Sequence, residues 1–305
     1  MPKFQAGLVH TPVTPFTADQ RIDYGTFEKL IEFHLRNGAD TLAVPMHIGE
    51  SVSLTDDERR ALLEFTVKQV KGRVPVIAHV SESGTAIAEA LARHAQDAGA
   101  AAVVATTPYY WTPPAGMLLE HFARIAAAVR IPFFIFNTPE EMPGVKVTTD
   151  LALKLIDRAA NFAGIVDASL DWQFMIQVLS FGQRARADFQ LLSGTEYMIS
   201  AGAIGATGVF APLAGVAPRL VRRLYEFFRK EQHAQGRAVQ EEIAELRQAV
   251  KRTSVAGVKA GMRVMGRDCG DPRLPLEALS SADSEKLAGG LKAIAALRDE
   301  PHGWQ

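Results

Sequence analysis

Phe162-Ala163-Gly164-Ile165-Val166-Asp167-Ala168-Ser169 is a short apolar run that ends in a carboxylate and a hydroxyl. A run of this length, apolar throughout, fits a strand covered on both faces, as in a parallel sheet flanked by helices. Its polar end marks the point where the strand leaves the core. The stretch is expected to be the sixth strand of a barrel, delivering side chains to a mouth at its C-terminal end.

Working outward, the same unit recurs. Leu8–Thr14, Thr41–Pro45, Val74–Val80, Ala101–Ala105 and Ile131–Phe136 read as strands one to five, and Phe189–Leu192 and Gly208–Ala211 as strands seven and eight. Helical patterns separate them. Asp23 caps a helix to about Arg36 with Phe27, Leu30, Ile31 and His34/Leu35 on one face, and Asn37-Gly38 stops it. Thr55-Asp56-Asp57-Glu58 is a capping box opening a helix to about Lys71. Further helices are expected from Ser83 or Thr85 to Ala98-Gly99, from Pro113-Pro114 to Val129, from Thr148 or Thr149 to Arg158, over Trp172–Phe181, up to Gly202, and over Val216–Lys230.

Eight strand–helix units in alternation predict an α/β protein of the TIM (β/α)8 barrel class. After Lys230 the strands stop. Glu231–Arg252, Val255–Val264 and Ser284–Leu297 read as helices, so residues 1–230 are assigned to the barrel and 231–305 to a C-terminal helical extension packed on it.

Composition narrows the function classes. The 305 residues are 48% hydrophobic with a formal net charge of −1, which gives no overall field to recruit nucleic acid or a membrane surface. The single Cys269 leaves no internal disulfide and no cysteine-based zinc site. Met1-Pro2-Lys3-Phe4-Gln5 lacks the apolar core of a signal peptide, and no apolar run reaches membrane-spanning length, so a cytoplasmic protein is expected.

Barrel active sites lie at the C-terminal strand ends. Those ends present Thr11 and Thr14, then Met46-His47-Ile48-Gly49-Glu50-Ser51, Thr106-Thr107-Pro108-Tyr109-Tyr110-Trp111, Phe136-Asn137-Thr138-Pro139-Glu140-Glu141, Val166-Asp167, Ser193-Gly194-Thr195-Glu196 and Phe210. Among these fragments, Thr14-Pro15-Phe16, Gly49-Glu50-Ser51 with Leu54-Thr55, Pro108-Tyr109-Tyr110, Asn137-Thr138-Pro139, Gly164-Ile165, Leu192-Ser193-Gly194, Val258-Lys259 and Arg273-Leu274-Pro275-Leu276 stand in order at barrel spacing. Together they resemble the dihydrodipicolinate synthase / N-acetylneuraminate lyase family of the class I aldolase superfamily.

That resemblance implies a strand-six lysine that forms a Schiff base with a 2-oxo acid. It also implies a strand-five tyrosine that shuttles protons, a strand-two hydroxyl, a tyrosine lent by a neighbouring subunit, and an arginine in the strand-five loop that holds a carboxylate. Carried over by position, the lysine falls on Val166, the strand-five tyrosine on Phe136, the hydroxyl pair on His47-Ile48 and the arginine near Glu141. Tyr110 alone keeps its family identity, as the subunit-crossing tyrosine.

The expectation is a divergent lyase or aldolase-type protein that handles a small oxo- or hydroxy-acid without a lysine Schiff base. The alternatives are a non-catalytic ligand-binding relative, and an ordinary pyruvate-dependent enzyme that Val166 contradicts. His47 and Tyr110 are the expected catalytic groups, His47 because an imidazole at the mouth can exchange protons near neutral pH. Thr11, His47, Ile48, Phe136, Glu141, Val166, Ser193, Gly194 and Phe210 are expected to bind substrate. No cofactor is implied, and His47, Glu141 and Glu196 lack the spacing of a metal motif.

Lys146 starts from the rim. Lys259 resembles a second, non-catalytic lysine of the family. His10 is out of phase with Thr11 and points to the helices. Glu50 is expected to fix the strand-two loop, and Asp167 to turn away from the barrel axis. The Tyr109-Tyr110 loop implies a homodimer or homotetramer.

Overall fold

The computed structural model describes residues 4–138, 145–251 and 254–305. Eight strands alternate with helices: β1 (Leu8–His10), α1 (Tyr24–Arg36), β2 (Thr41–Val44), α2 (Asp56–Val70), β3 (Val76–His79), α3 (Thr85–Asp97), β4 (Ala102–Thr106), α4 (Ala115–Ala127), β5 (Phe133–Asn137), α5 (Thr149–Arg158), β6 (Phe162–Asp167), α6 (Trp172–Ala185), β7 (Gln190–Ser193), α7 (Met198–Ala203), β8 (Gly208–Ala211) and α8 (Pro218–Arg229). All neighbouring strands pair in parallel, and β1 pairs with both β2 and β8, so the sheet closes into a barrel. Three helices follow: α9 (His233–Lys251), α10 (Ser254–Val264) and α11 (Ser281–Ala293). No helix among the described residues is long and apolar enough to cross a membrane.

Local chemistry explains the element ends. Asp23 accepts from the Thr26 amide at the head of α1, Thr55 and Glu58 form the reciprocal capping box of α2, and Thr148 accepts from Leu151 at the head of α5. Several boundaries differ from expectation; α6, for one, runs on past Phe181 to Ala185. β1 stops at His10, because Pro12 and Pro15 have no N–H for the ladder. Of the two starts expected for α3 the helix takes Thr85, behind Gly84 and with no side-chain cap from Ser83. The last expected helix divides into α11 and a separate 3-10 turn at Ala295–Asp299, with Ile294 extended between them.

Strand alternation creates two apolar regions. Leu42, Val103, Ile135, Ile165 and Leu191 face the helices in the larger one. Val9, Ala43, Ile77, Val104, Phe134, Phe136, Val166, Leu192 and Phe210 fill the barrel. β6 passes close to β7 at Gly164, where any β-carbon would collide with the carbonyl oxygen of Gln190. That contact requires glycine and sets the register that puts Val166 beside Phe136 and Leu192.

The helical extension is fastened to the barrel. The Arg267 side chain is fully buried and donates to the carbonyls of Gly215, Val216, Pro301 and Gly303, with its guanidinium 4.3 Å from the Phe33 ring centre. Burial pulls its pKa down to about 10. α10 packs on α9 and on the short 3-10 turn His47–Gly49 that follows β2.

Candidate functional site at the barrel mouth

The His47–Gly49 turn brings His47 and Ile48 to the mouth. Its conformation is fixed at both ends. Thr14 Oγ1 donates to Gly49 O at 2.6 Å, and Glu50 adopts the left-handed region at φ 57°. The Glu50 carboxylate accepts from Arg273 N at 2.7 Å and pairs with Lys259 Nζ at 2.7 Å. Glu50 therefore fixes the loop, as expected, and the Lys259 ammonium is occupied: it also reaches Asp271 O at 3.2 Å and lies 4.4 Å from the Phe16 ring centre. Burial lowers the Lys259 pKa, with Glu50 acting in the opposite direction.

A cavity of about 320 Å³ opens at the mouth. The turn after β2 supplies Met46, His47 and Ile48; strand ends supply Thr11, Phe136, Gly194 and Phe210; and Arg247, Val250 and Val258 come from the helical extension. Phe136 and Phe210 stack with centroids 6.4 Å apart and planes 18° from parallel, forming an aromatic wall. Thr11 is buried at 4% exposure, and its hydroxyl meets no protein partner among the described residues. A buried hydroxyl without a partner at a cavity wall is a group able to receive a ligand's oxygen.

Six of the residues expected to bind substrate thus share one wall: Thr11, His47, Ile48, Phe136, Gly194 and Phe210. Two expectations need correction. Val166 is fully buried among the barrel-filling side chains, beneath the cavity and not on its wall. Ser193 is also buried, and its hydroxyl donates to Thr195 O at 2.6 Å. Val166 points inward as strand alternation requires, but the Phe136 and Phe210 rings form the cavity surface in its place; Ser193 follows the inward Leu192 and is the register partner of Asp167, so alternation turns it away from the barrel axis. Glu141 lies outside the described residues.

Tyr110 also departs from a site within one chain. It is 90% exposed, at φ 73°, edge-on to Trp111 at 5.1 Å, and is not part of the cavity wall. Its neighbour Tyr109 is held instead, by its hydroxyl on Glu82 Oε2 at 2.9 Å and its carbonyl accepting from Ser83 Oγ at 2.5 Å. Burial and the adjacent Glu82 raise the Tyr109 pKa.

The remaining polar groups sort by face. Asp167 turns from the cavity, accepting from Asn137 Nδ2 at 2.6 Å and Ser169 Oγ at 2.7 Å; burial raises its pKa, and these hydrogen bonds oppose the rise. His10 Nδ1 lies 3.0 Å from His34 Nδ1 in the helical layer, and burial holds the His10 pKa near 3. Lys146 lines a separate depression with Thr148, Ser169 and Asp171. Glu196 is pinned, its Oε1 accepting from Leu213 N at 2.7 Å and its Oε2 pairing with Arg247 at 2.9 Å.

Sequence reasoning missed Arg247, Val250 and Val258. Strand ends can be counted along a chain, but nothing in the spacing of α9 and α10 says which of their faces folds back over the mouth.

Known proteins share this architecture and much of the sequence. The family model for the dihydrodipicolinate synthetase family matches residues 4–294. The 4-hydroxy-tetrahydrodipicolinate synthase of Methanopyrus kandleri is 32% identical over 294 residues, covering 95% of this chain and 97% of the relative. A DapA-like lyase of Halobacterium salinarum is 33% identical over 294 residues, covering 95% and 94%. The crystal structure of dihydrodipicolinate synthase from Thermotoga maritima superposes with a TM-score of 0.90 at 29% identity, covering 96% of this chain and 99% of that one. With its closed barrel, its extension over the mouth and a family match across nearly all of its length, the chain belongs to the dihydrodipicolinate synthetase family.

Proposed function

We propose that the protein is a lyase of this family that acts on a small oxo- or hydroxy-acid without forming a lysine Schiff base. The observation that carries the reading is Val166. It stands where the family resemblance puts the nucleophile, and its side chain is sealed among Phe134, Phe136, Leu192 and Phe210. No lysine lines the cavity among the described residues. Lys259 is consumed by Glu50, and Lys146 serves a different depression.

Without an iminium, the substrate's own carbonyl must acidify the carbon beside it. A 4-hydroxy-2-oxo acid meets this need. The His47 imidazole takes a proton from C3, the C3–C4 double bond forms, and the C4 hydroxyl leaves as water with a proton from a phenol. The imidazolium then returns its proton to the phenolate through solvent. Tyr110 supplies that phenol in this reading, lent by a second copy of the chain, so the active form is a homodimer or homotetramer built through the Tyr109-Tyr110 loop. Its 90% exposure in one chain supports that role.

The test is to incubate the protein with pyruvate and borohydride and weigh it. Unchanged mass is expected, and a stable adduct on any lysine overturns the reading. Turnover of 4-hydroxy-2-oxo acids is then expected to fall by about 10²–10⁴ in His47→Ala and to drop in Tyr110→Phe. Binding of such acids with no turnover over a broad panel would instead identify a non-catalytic relative.

A further inference from the structure

This inference rests on the mouth being a site for a small organic acid, and it concerns what holds the acid and what the rest of it looks like. Arg247 lies on α9, in the helical extension, and is the cation on the cavity wall among the described residues. Its position is fixed. Nη1 donates at 2.9 Å to Oε2 of Glu196, whose side chain is fully buried, and the guanidinium lies 5.2 Å from the Tyr197 ring centre. Two turns earlier on α9, Gln240 bridges the same loop, donating to Glu196 O at 2.9 Å and accepting from Ile199 N at 3.2 Å. A side chain held from both ends has little rotamer entropy left to lose on binding.

One guanidinium nitrogen is used by Glu196. Nε and Nη2 meet no protein acceptor among the described residues, and the side chain remains 12% exposed where it borders the cavity. The planar fork of a guanidinium matches the two oxygens of a carboxylate, and such charge-assisted bonds are the stronger kind. Thr11, with its unpartnered hydroxyl, is a second polar group on the same wall.

His47, Thr138 and Thr195 are the other polar side chains of the wall, and most of the remainder is hydrocarbon. Phe136 and Phe210 face the cavity with Met46, Ile48, Leu213 and Val258. Each hydroxyl of a sugar-like acid pressed against that surface would give up its water without a replacement partner. An aryl or branched alkyl tail gains from the same surface. We propose that Arg247 binds the substrate's carboxylate, and that the substrate is a 2-oxo or 2-hydroxy acid with an apolar, aryl or alkyl tail lying against Phe136 and Phe210. The clamp that the resemblance implied near Glu141 is thereby supplied by the helical extension.

The experiment is calorimetric titration at fixed salt with three probes: phenylpyruvate, its methyl ester, and the polyhydroxylated 2-keto-3-deoxygluconate. The wild-type protein is expected to bind phenylpyruvate about tenfold or more tighter than either other probe. Arg247→Gln is expected to lose that advantage over the ester while binding the ester within about twofold of wild type; Arg247→Lys, which keeps the charge and loses the fork, falls between. The ester arm reports on folding, since a collapsed mouth would bind none of the three. If wild type prefers acid to ester and Arg247→Gln keeps the preference, the mouth is an acid site but Arg247 is not its clamp, and this inference falls while the proposed function stands. If 2-keto-3-deoxygluconate is the tightest probe, the apolar-tail assignment is overturned. If neither acid binds to wild type, the inference and the reading beneath it fail together.

Discussion

Two buried ion pairs latch the helical extension to the barrel mouth, and they are built differently. Glu50, after β2, meets Lys259 at 2.7 Å; Glu196, after β7, meets Arg247 at 2.9 Å. Both carboxylates are fully buried. The Lys259 side chain is 2% exposed, and its ammonium is spent on Glu50, Asp271 O and the Phe16 ring. Arg247 spends one nitrogen on its carboxylate and borders a cavity. The first latch is dry and closed on itself; the second is one side of a site. A buried cation therefore signals function only when donors remain after its structural partners are counted.

The largest way to break this contrast is Lys259→Met. It leaves the Glu50 carboxylate buried with only the Arg273 amide to answer it, and removing one partner of a buried pair costs about 3–5 kcal/mol. Urea denaturation is expected to show a loss of that size. A loss below about 1 kcal/mol would mean that water reaches Glu50 and that the latch is not dry. Next in size is Arg247→Gln. One hydrogen bond to a charged group is lost, about 2 kcal/mol, and both the glutamine amide and cavity water can partly replace it. A cost equal to that of Lys259→Met would erase the distinction between the two latches.

The same contrast governs what could be read from the sequence. Barrel strands announced themselves because parallel strands sealed on both faces must be continuous apolar runs, and their ends can be counted. His47, Ile48, Phe136 and Phe210 were legible at the mouth for that reason. Depth was not. Val166 points inward as expected, but the stacked Phe136 and Phe210 rings form the cavity wall in its place, and ring stacking is a tertiary fact; Ser193 follows the inward Leu192, so alternation turns it from the axis. Arg247 was illegible for a different reason. α9 carries arginines at 237 and 247, and only the packing of α9 across the mouth distinguishes the one that faces Glu196. The role of Glu50 was readable through the family resemblance, whereas Glu196 was read only as a possible metal ligand, and its arginine partner went unseen.

The smallest expected effect probes the dry latch from within. Cys269 is 1% exposed, and its thiol pKa is pushed up to about 12 by burial, with Lys259 pulling the other way. An unfolded thiol titrates near about 8.5. Because the folded value is higher, the native state keeps its proton where the unfolded state has lost it, so the contribution is fully present below about pH 8.5 and is lost as pH rises toward 12. Between pH 8 and pH 9.5 that loss is about 1 kcal/mol. Cys269→Ala carries a constant packing penalty for the missing sulfur but no titration, so its stability should fall by about 1 kcal/mol less than wild type across the same interval. Denaturant titrations of both proteins at the two pH values measure the difference in slope directly. Parallel pH dependence would show that the thiol ionises as easily in the folded chain as in the unfolded one, which requires water beside Lys259 and would make the two latches alike.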